Sequence, residues 1–94
     1  MKITTDQLEI FKKIFGLHDK FGNEEVESIK YIHWCEPLGQ YLIGIKLSEG
    51  STEFGFKNNK LIVNGTFVEL SYEDFGLIQS VIENNKSEIC VSDI

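Results

Sequence analysis

The most chemically suggestive residues in the sequence are His33, Trp34 and Cys35, which follow one another in a segment rich in β-branched and aromatic residues. In a β-strand, residues two positions apart point to the same face, so the imidazole of His33 could polarise the thiol of Cys35. A catalytic dyad also needs a group that orients the base and a site for the oxyanion, and no motif supplies either. We therefore predict a packed cysteine, a half-exposed histidine and no catalytic residue.

A metal site would have to draw on the histidines and cysteines, which are His18, His33, Cys35 and Cys90. They lack the short ligand spacing of structural zinc sites. The acidic run at 24–27 lacks the oxygen ligands alternating around a glycine that define a calcium loop. The glycines form neither a G-x-G-x-x-G motif nor a P-loop. We predict no bound metal and no cofactor.

The two cysteines and the hydropathy pattern bear on the compartment. Residues 1–6 contain no apolar h-region, and the longest apolar stretch, at 41–45, is far shorter than the ~20 residues needed to span a bilayer. We therefore expect a cytoplasmic protein. In that compartment lone cysteines usually act as small buried hydrophobes, so Cys35 and Cys90 are predicted to be buried and unbridged.

The charge distribution indicates which partners the chain would attract. The formal net charge is −6, and the acidity lies after residue 20, where twelve acids face five lysines. All nine cations are lysines, so the chain has no guanidinium group for bidentate phosphate recognition. An acidic field of this kind repels nucleic acid and attracts basic proteins. We expect a basic or nucleic-acid-binding protein as partner, with no direct binding of nucleic acid and no membrane contact.

Helical periodicity marks both ends of the chain. Thr4 and Gln7 form a capping-box pattern, and apolar residues then recur at helical spacing, which predicts a helix over about residues 5–16. A second helix is predicted to start at Ser71, where Asp74 completes a cap, and to end at residues 84–85.

The region between the helices is typical of β-structure. Residues 26–36 alternate imperfectly, which indicates either that both faces are partly covered or that a bulge shifts the register. Residues 41–47 alternate cleanly. The pairs at 58–59 and 64–65 both favour type I′ turns and give strands near 52–57, 60–63 and 66–70. If only one turn forms, 60–70 is a single bulged strand.

These elements predict one α+β domain over residues 1–94. It comprises an N-terminal helix, an antiparallel meander sheet of four or five strands, a second helix packed on the sheet, and a short C-terminal tail or edge strand. The predicted core consists of the residues on the apolar face of each element, namely Leu8, Phe11, Phe15, Tyr41, Ile43, Ile45, Phe54, Phe56, Phe75, Ile78 and Ile82.

The remaining candidates for function are surface residues in or beside turns and element ends. Acids clustered with exposed aromatic side chains would make a patch able to plug a basic groove. The predicted partner-binding residues are Glu24, Glu25, Glu27, Trp34, Glu49, Glu53, Tyr72, Glu73 and Asp74.

The abundance of Ile, Asn, Lys and Phe and the absence of alanine are typical of an AT-rich genome. A short acidic chain of this composition without an enzyme motif is similar in profile to phage-encoded inhibitors, such as anti-CRISPR and anti-restriction proteins, and to toxin-immunity proteins. This resemblance, which rests on no motif, implies a stoichiometric inhibitor that occupies a basic site. The alternatives are a small-ligand-binding or sequestering domain with a pocket between helix and sheet, and a small Cys/His enzyme.

Overall fold

The computed structural model describes residues 3–17, 25–58, 60–63 and 65–92. Two helices and a six-stranded sheet form an α+β fold, as the sequence predicts. In chain order, the elements are α1 (Thr5–Leu17), β1 (Val26–Cys35), β2 (Gln40–Leu47), β3 (Ser51–Lys57), β4 (Lys60–Val63), β5 (Thr66–Glu69), α2 (Tyr72–Asn84), a 3-10 turn (Lys86–Glu88) and β6 (Cys90–Ser92).

Both helices begin at the side-chain caps that the sequence predicts. At α1, the backbone N–H of Gln7 donates to Thr4 Oγ1 at 3.2 Å, and the Thr4 N–H donates to Gln7 Oε1 at 2.9 Å. At α2, the N–H of Asp74 donates to Ser71 Oγ at 3.2 Å. These bonds satisfy N–H groups that have no partner within the helix, and therefore fix where each helix starts.

Two tight turns, rather than one, connect the third, fourth and fifth strands. Asn58 and Gly65 have positive φ values of 56° and 78°, as a tight hairpin turn requires. Their neighbours Asn59 and Asn64 lie outside the described residues. The observed strands at 51–57, 60–63 and 66–69 therefore follow the first of the two predicted arrangements.

The strand order in the sheet is β5-β4-β3-β2-β1-β6. The first five strands form the predicted antiparallel meander. The C-terminal segment forms the edge strand that was one of its two predicted alternatives, but this strand, β6, pairs parallel to β1 with Cys90 beside His33, so the sheet has six strands and is mixed rather than antiparallel throughout. Only three residues of β6 pair, and they lie far along the chain from their partners, so local periodicity did not indicate the pairing.

Strand β1 contains two register shifts relative to β2, one between Val26 and Ser28 and one between Ile29 and Tyr31. Each shift adds a residue on the β1 side, so the buried residues Val26, Ile29 and Ile32 recur every third position. This spacing explains the imperfect alternation and follows the bulge interpretation of residues 26–36.

Both helices pack on one face of the sheet, which we call the helix face. Phe11 of α1 stacks against Phe54, with ring centroids 6.0 Å apart, and Phe75 of α2 contacts Phe56 at 5.7 Å. Of the predicted core, Leu8, Tyr41 and Phe75 are only partly buried, and the side chain of Phe15 lies outside the described residues. The other predicted core residues are buried, together with residues the prediction omitted: Ile10, Ile14, Val26, Ile29, Ile32, Leu47, Leu61, Val63 and Val81.

Candidate binding surface

The other face of the sheet, which we call the outer face, carries no described helix. A row of outward-pointing residues crosses it, one from each strand, and consecutive members are directly paired in the sheet. We call this the outer row: Phe67, Ile62, Gly55, Leu42, His33 and Cys90. Phe67 is 64% exposed, whereas Ile62, Leu42 and His33 are partly buried. The outer row is therefore an apolar strip on an uncovered sheet.

A tyrosine lies across the outer face beside this row. The Tyr31 side chain lies over Gly44 on β2, and its hydroxyl group donates a hydrogen bond to the Glu53 carboxylate on β3. A Cβ at Gly44 would lie 2.1 Å from the Tyr31 ring, so only glycine allows the ring to lie there. Burial first, then the hydrogen bond to Glu53 and the charge of that carboxylate, raise the pKa of Tyr31 to about 12.

His33 lies between Tyr31 and the edge strand β6. Its ring stacks on Tyr31 with a centroid distance of 4.3 Å, and its neighbour on β6 is Cys90. Cys35 is buried, as predicted, but the prediction that Cys90 is buried is wrong, because β6 is an edge strand that leaves its side chain exposed. The cysteine beside His33 on the neighbouring strand is therefore Cys90 rather than Cys35.

Two lysines face each other at one border of the outer row. Lys57 and Lys60 are directly paired across β3 and β4. Lys60 also pairs with Glu69 on β5 and lies 5.9 Å from the centre of the Phe67 ring, within the range of a cation–π contact. Within the described part of the chain, no carboxylate lies within ion-pair distance of Lys57.

Three of the predicted partner-binding acids lie together at one end of the sheet. The Glu25 N–H donates to Ser48 Oγ at 3.2 Å, which places Glu25 beside the turn that contains Glu49. Glu27 forms an exposed ion pair with Lys46 at 3.6 Å. We call Glu25, Glu27 and Glu49 the glutamate cluster; all three are exposed. Of the other predicted acids, Glu53 lies on the outer face against Tyr31, and Glu24 lies outside the described residues.

The other predicted partner-binding residues lie toward the opposite end of the sheet. Trp34 is partly buried against Tyr41, with ring centroids 4.8 Å apart, and its Nε1 donates to Glu36 at 2.9 Å. In the first turn of α2, Tyr72 is 92% exposed, Glu73 is exposed, and Asp74 pairs with Lys13 of α1 at 3.3 Å. The predicted residues therefore do not form one patch.

The outer row is the surface that sequence reasoning missed. Its sequence signal is the outward set of β2 and β3, in which Leu42, Gly44 and Gly55 alternate with large core residues. Leu42 alone is an ordinary surface leucine. Only the register that aligns it with Ile62 and Phe67 makes it part of an apolar strip.

Other kinds of site find little support in the described structure. A pocket lined by Ile3, Thr4, Gln7 and Asn84 lies at the ends of the two helices, away from the helix–sheet interface proposed for a ligand. In residues 3–17, 25–58, 60–63 and 65–92, no three or more His, Cys, Asp or Glu side chains are placed so that they could hold a metal ion together. No helix among these residues is long and apolar enough to cross a membrane.

The protein thus presents an α+β fold with an acidic end and with one sheet face on which the described residues place no helix. Comparison of the chain with protein-family models, with curated proteins and with solved structures found no significant match.

Proposed function

We propose that this protein is a non-enzymatic binding protein that docks through its glutamate cluster onto a basic surface of another protein. The observation that supports this proposal is the pairing of β1 with the end of β2, which brings Glu25 and Glu27 beside the turn that holds Glu49. Three acids that are separate in sequence thereby form one exposed acidic surface.

The physical effect of such a surface is mainly on association. Exposed carboxylates attract a basic partner over roughly one Debye length, about 8 Å at physiological salt, and so accelerate encounter. Both side chains of the Glu27–Lys46 ion pair are exposed, so the pair is weak. Glu27 can therefore exchange Lys46 for a lysine or arginine of the partner.

The class of partner follows from the sign of the charge. A protein that carries −6 charges on 94 residues and has no arginine is suited to a site that normally holds nucleic acid or another polyanion. By occupying that site one-to-one, it would act as a stoichiometric inhibitor, as anti-defence proteins of phages or mobile elements and toxin-immunity proteins do. This function requires neither a catalytic residue nor a cofactor.

The experiment is affinity capture from a lysate of the source organism, repeated over a range of salt concentrations. We expect the wild type to retain a basic protein that elutes as salt rises. The double variant Glu25→Lys/Glu27→Lys changes the formal net charge from −6 to −2 and should lose this capture. Both side chains are exposed, so the fold should be retained.

The matched control is Glu83→Lys/Glu88→Lys, which gives the same net charge but places the reversals at the end of α2 and in the 3-10 turn. Both glutamates are exposed there. Capture that survives in the control but not in the first variant supports the glutamate cluster. Equal loss in both variants, or capture that is insensitive to salt, would contradict the proposal.

A further inference from the structure

The centre of the outer face carries glycines in place of larger side chains. Gly44 and Gly55 occupy outward positions on the two central strands, and neighbouring side chains lie across them: Tyr31 over Gly44, and Ile62 beside Gly55. A Cβ at Gly55 would lie 3.2 Å from Cβ of Ile62. Two sheets stack face to face at about 10 Å with the side chains between them interdigitated. The two glycines add no side chain of their own between the outer face and a sheet stacked on it.

The charges along β3 are antisymmetric about Gly55. On the outer face, this strand presents Glu53, Gly55 and Lys57 in succession. Rotation by 180° about an axis that crosses the strands at Gly55 exchanges the positions of the acid and the lysine. Two outer faces related in this way would each place Lys57 over the other's Glu53.

Lys57 also lacks a partner where it stands. Its cross-strand neighbour is Lys60, and like charges directly opposite each other in a sheet are destabilising. Within the described residues it forms no ion pair. A carboxylate supplied from outside would therefore relieve a repulsion as well as form an attraction.

We propose that the outer face binds the outer face of a second copy of this chain, around a twofold axis that follows the outer row. Each residue of the row then faces its own counterpart, so Phe67, Ile62 and Leu42 meet as an apolar seam. Lys57 of one copy pairs with Glu53 of the other, twice per dimer. The interface is isologous, as closed dimers require, and the helices of both copies lie on the outside.

The glutamate cluster lies beyond this seam, near the end of the sheet, and supplies none of the contacts proposed for the dimer. The dimer therefore does not depend on the proposed inhibitory function.

The test is a charge swap measured by sedimentation equilibrium. Lys57→Glu and Glu53→Lys should each weaken the dimer about tenfold or more, because each turns two attractive pairs into two repulsive ones. The double variant Glu53→Lys/Lys57→Glu should restore dimerisation, because the twofold axis pairs position 53 with position 57. Lys86→Glu, which changes the net charge as Lys57→Glu does but lies in the 3-10 turn, should leave the dimer unchanged.

One of these variants also controls for an effect on folding. Lys57→Glu places a carboxylate opposite Lys60, so thermal unfolding of its monomer should occur at the same or a higher temperature. A weakened dimer with an intact fold is then an effect on the interface.

Cys90 provides a second, independent readout. It lies on the proposed axis and is exposed, whereas Cys35 is buried. A short bis-maleimide should cross-link the wild type through Cys90, and Cys90→Ser should abolish the cross-link. A wild type that stays monomeric at millimolar concentration would overturn the proposal. So would a dimer that neither responds to the charge swap nor cross-links at Cys90.

Discussion

The same strands form both faces of the sheet, but the two faces differ in the residues they carry and in how deeply those residues are buried. On the helix face, β2 and β3 place Ile43, Ile45 and Phe54, each fully buried beneath the helices. On the outer face, the intervening positions include Gly44 and Gly55, and the apolar residues there are only partly covered. One face is closed by packing against the two helices, and on the other the described residues place no helix.

This difference shows where stability and binding reside. A buried apolar side chain stabilises the fold in proportion to the area it removes from water, so the helix face carries most of the folding energy. The outer face contributes less to folding, and its glycines allow neighbouring side chains to approach the backbone closely. Substitutions on each face can test whether folding stability depends mainly on the helix face.

The largest expected effect is the loss of a core isoleucine. Ile45→Ala should lower the free energy of unfolding by about 2–5 kcal/mol, because Ile45 is fully buried and its removal leaves a cavity. Leu42→Ala, on the partly exposed outer row, should cost about 1 kcal/mol. The measurement is urea unfolding at concentrations where the protein is monomeric. Equal losses at the two sites would show that the outer face is packed as tightly as the core.

The next effect concerns the glycine beneath Tyr31. Gly44→Ala should destabilise the protein by about 1–3 kcal/mol, because the new methyl group must displace the Tyr31 ring and break its bond to Glu53. In a Tyr31→Ala background the same change should cost little, and this double-mutant cycle isolates the contact.

Gly76 on α2 is the matched control for Gly44. It is exposed, and a Cβ added at this position would meet no neighbouring side chain within 4 Å, so Gly76→Ala should stabilise the helix by about 0.5–1 kcal/mol. A stabilising effect of alanine at both positions would mean that Tyr31 does not rest on Gly44.

The elements of this fold could largely be predicted from local sequence signals. Thr4 with Gln7, Ser71 with Asp74, and the turn residues Asn58 and Gly65 act over a few positions, and each marks a boundary that the structure reproduces. The clean alternation of β2 placed Ile43 and Ile45 in the core for the same reason.

The features that could not be predicted from the sequence depend on pairing between residues that are distant in the chain. The two register shifts in β1 move Ile29 and Ile32 into the core at a spacing that no period-two pattern contains. The parallel pairing of β6 with β1 exposes Cys90 beside His33. The outer row likewise requires the register of all six strands. The predicted acids do not form one patch, because some lie in the first turn of α2 and others in the glutamate cluster at one end of the sheet.

The smallest effect is a titration on the outer face. The pKa of Tyr31 is raised to about 12 from the ordinary 10.0, chiefly by burial and then by the Glu53 carboxylate, which accepts the hydroxyl hydrogen bond and repels the phenolate. Absorbance titration of tyrosinate should therefore show a component that ionises late, and Tyr31→Phe should remove that component. Glu53→Gln should lower the pKa of Tyr31, because it removes the negative charge while keeping an acceptor oxygen.

The sign of the stability effect follows by linkage. In the unfolded chain Tyr31 loses its proton near pH 10, whereas in the folded protein it keeps the proton to about pH 12. Between these two pH values the folded state binds more protons than the unfolded state. The stabilisation that Tyr31 contributes is therefore fully present below about pH 10 and is lost as the pH rises toward about 12. Urea unfolding at about pH 9 and about pH 11 should show a smaller loss for Tyr31→Phe than for the wild type. An identical loss in both proteins would mean that Tyr31 ionises as an exposed tyrosine does, and that the outer face leaves it open to solvent.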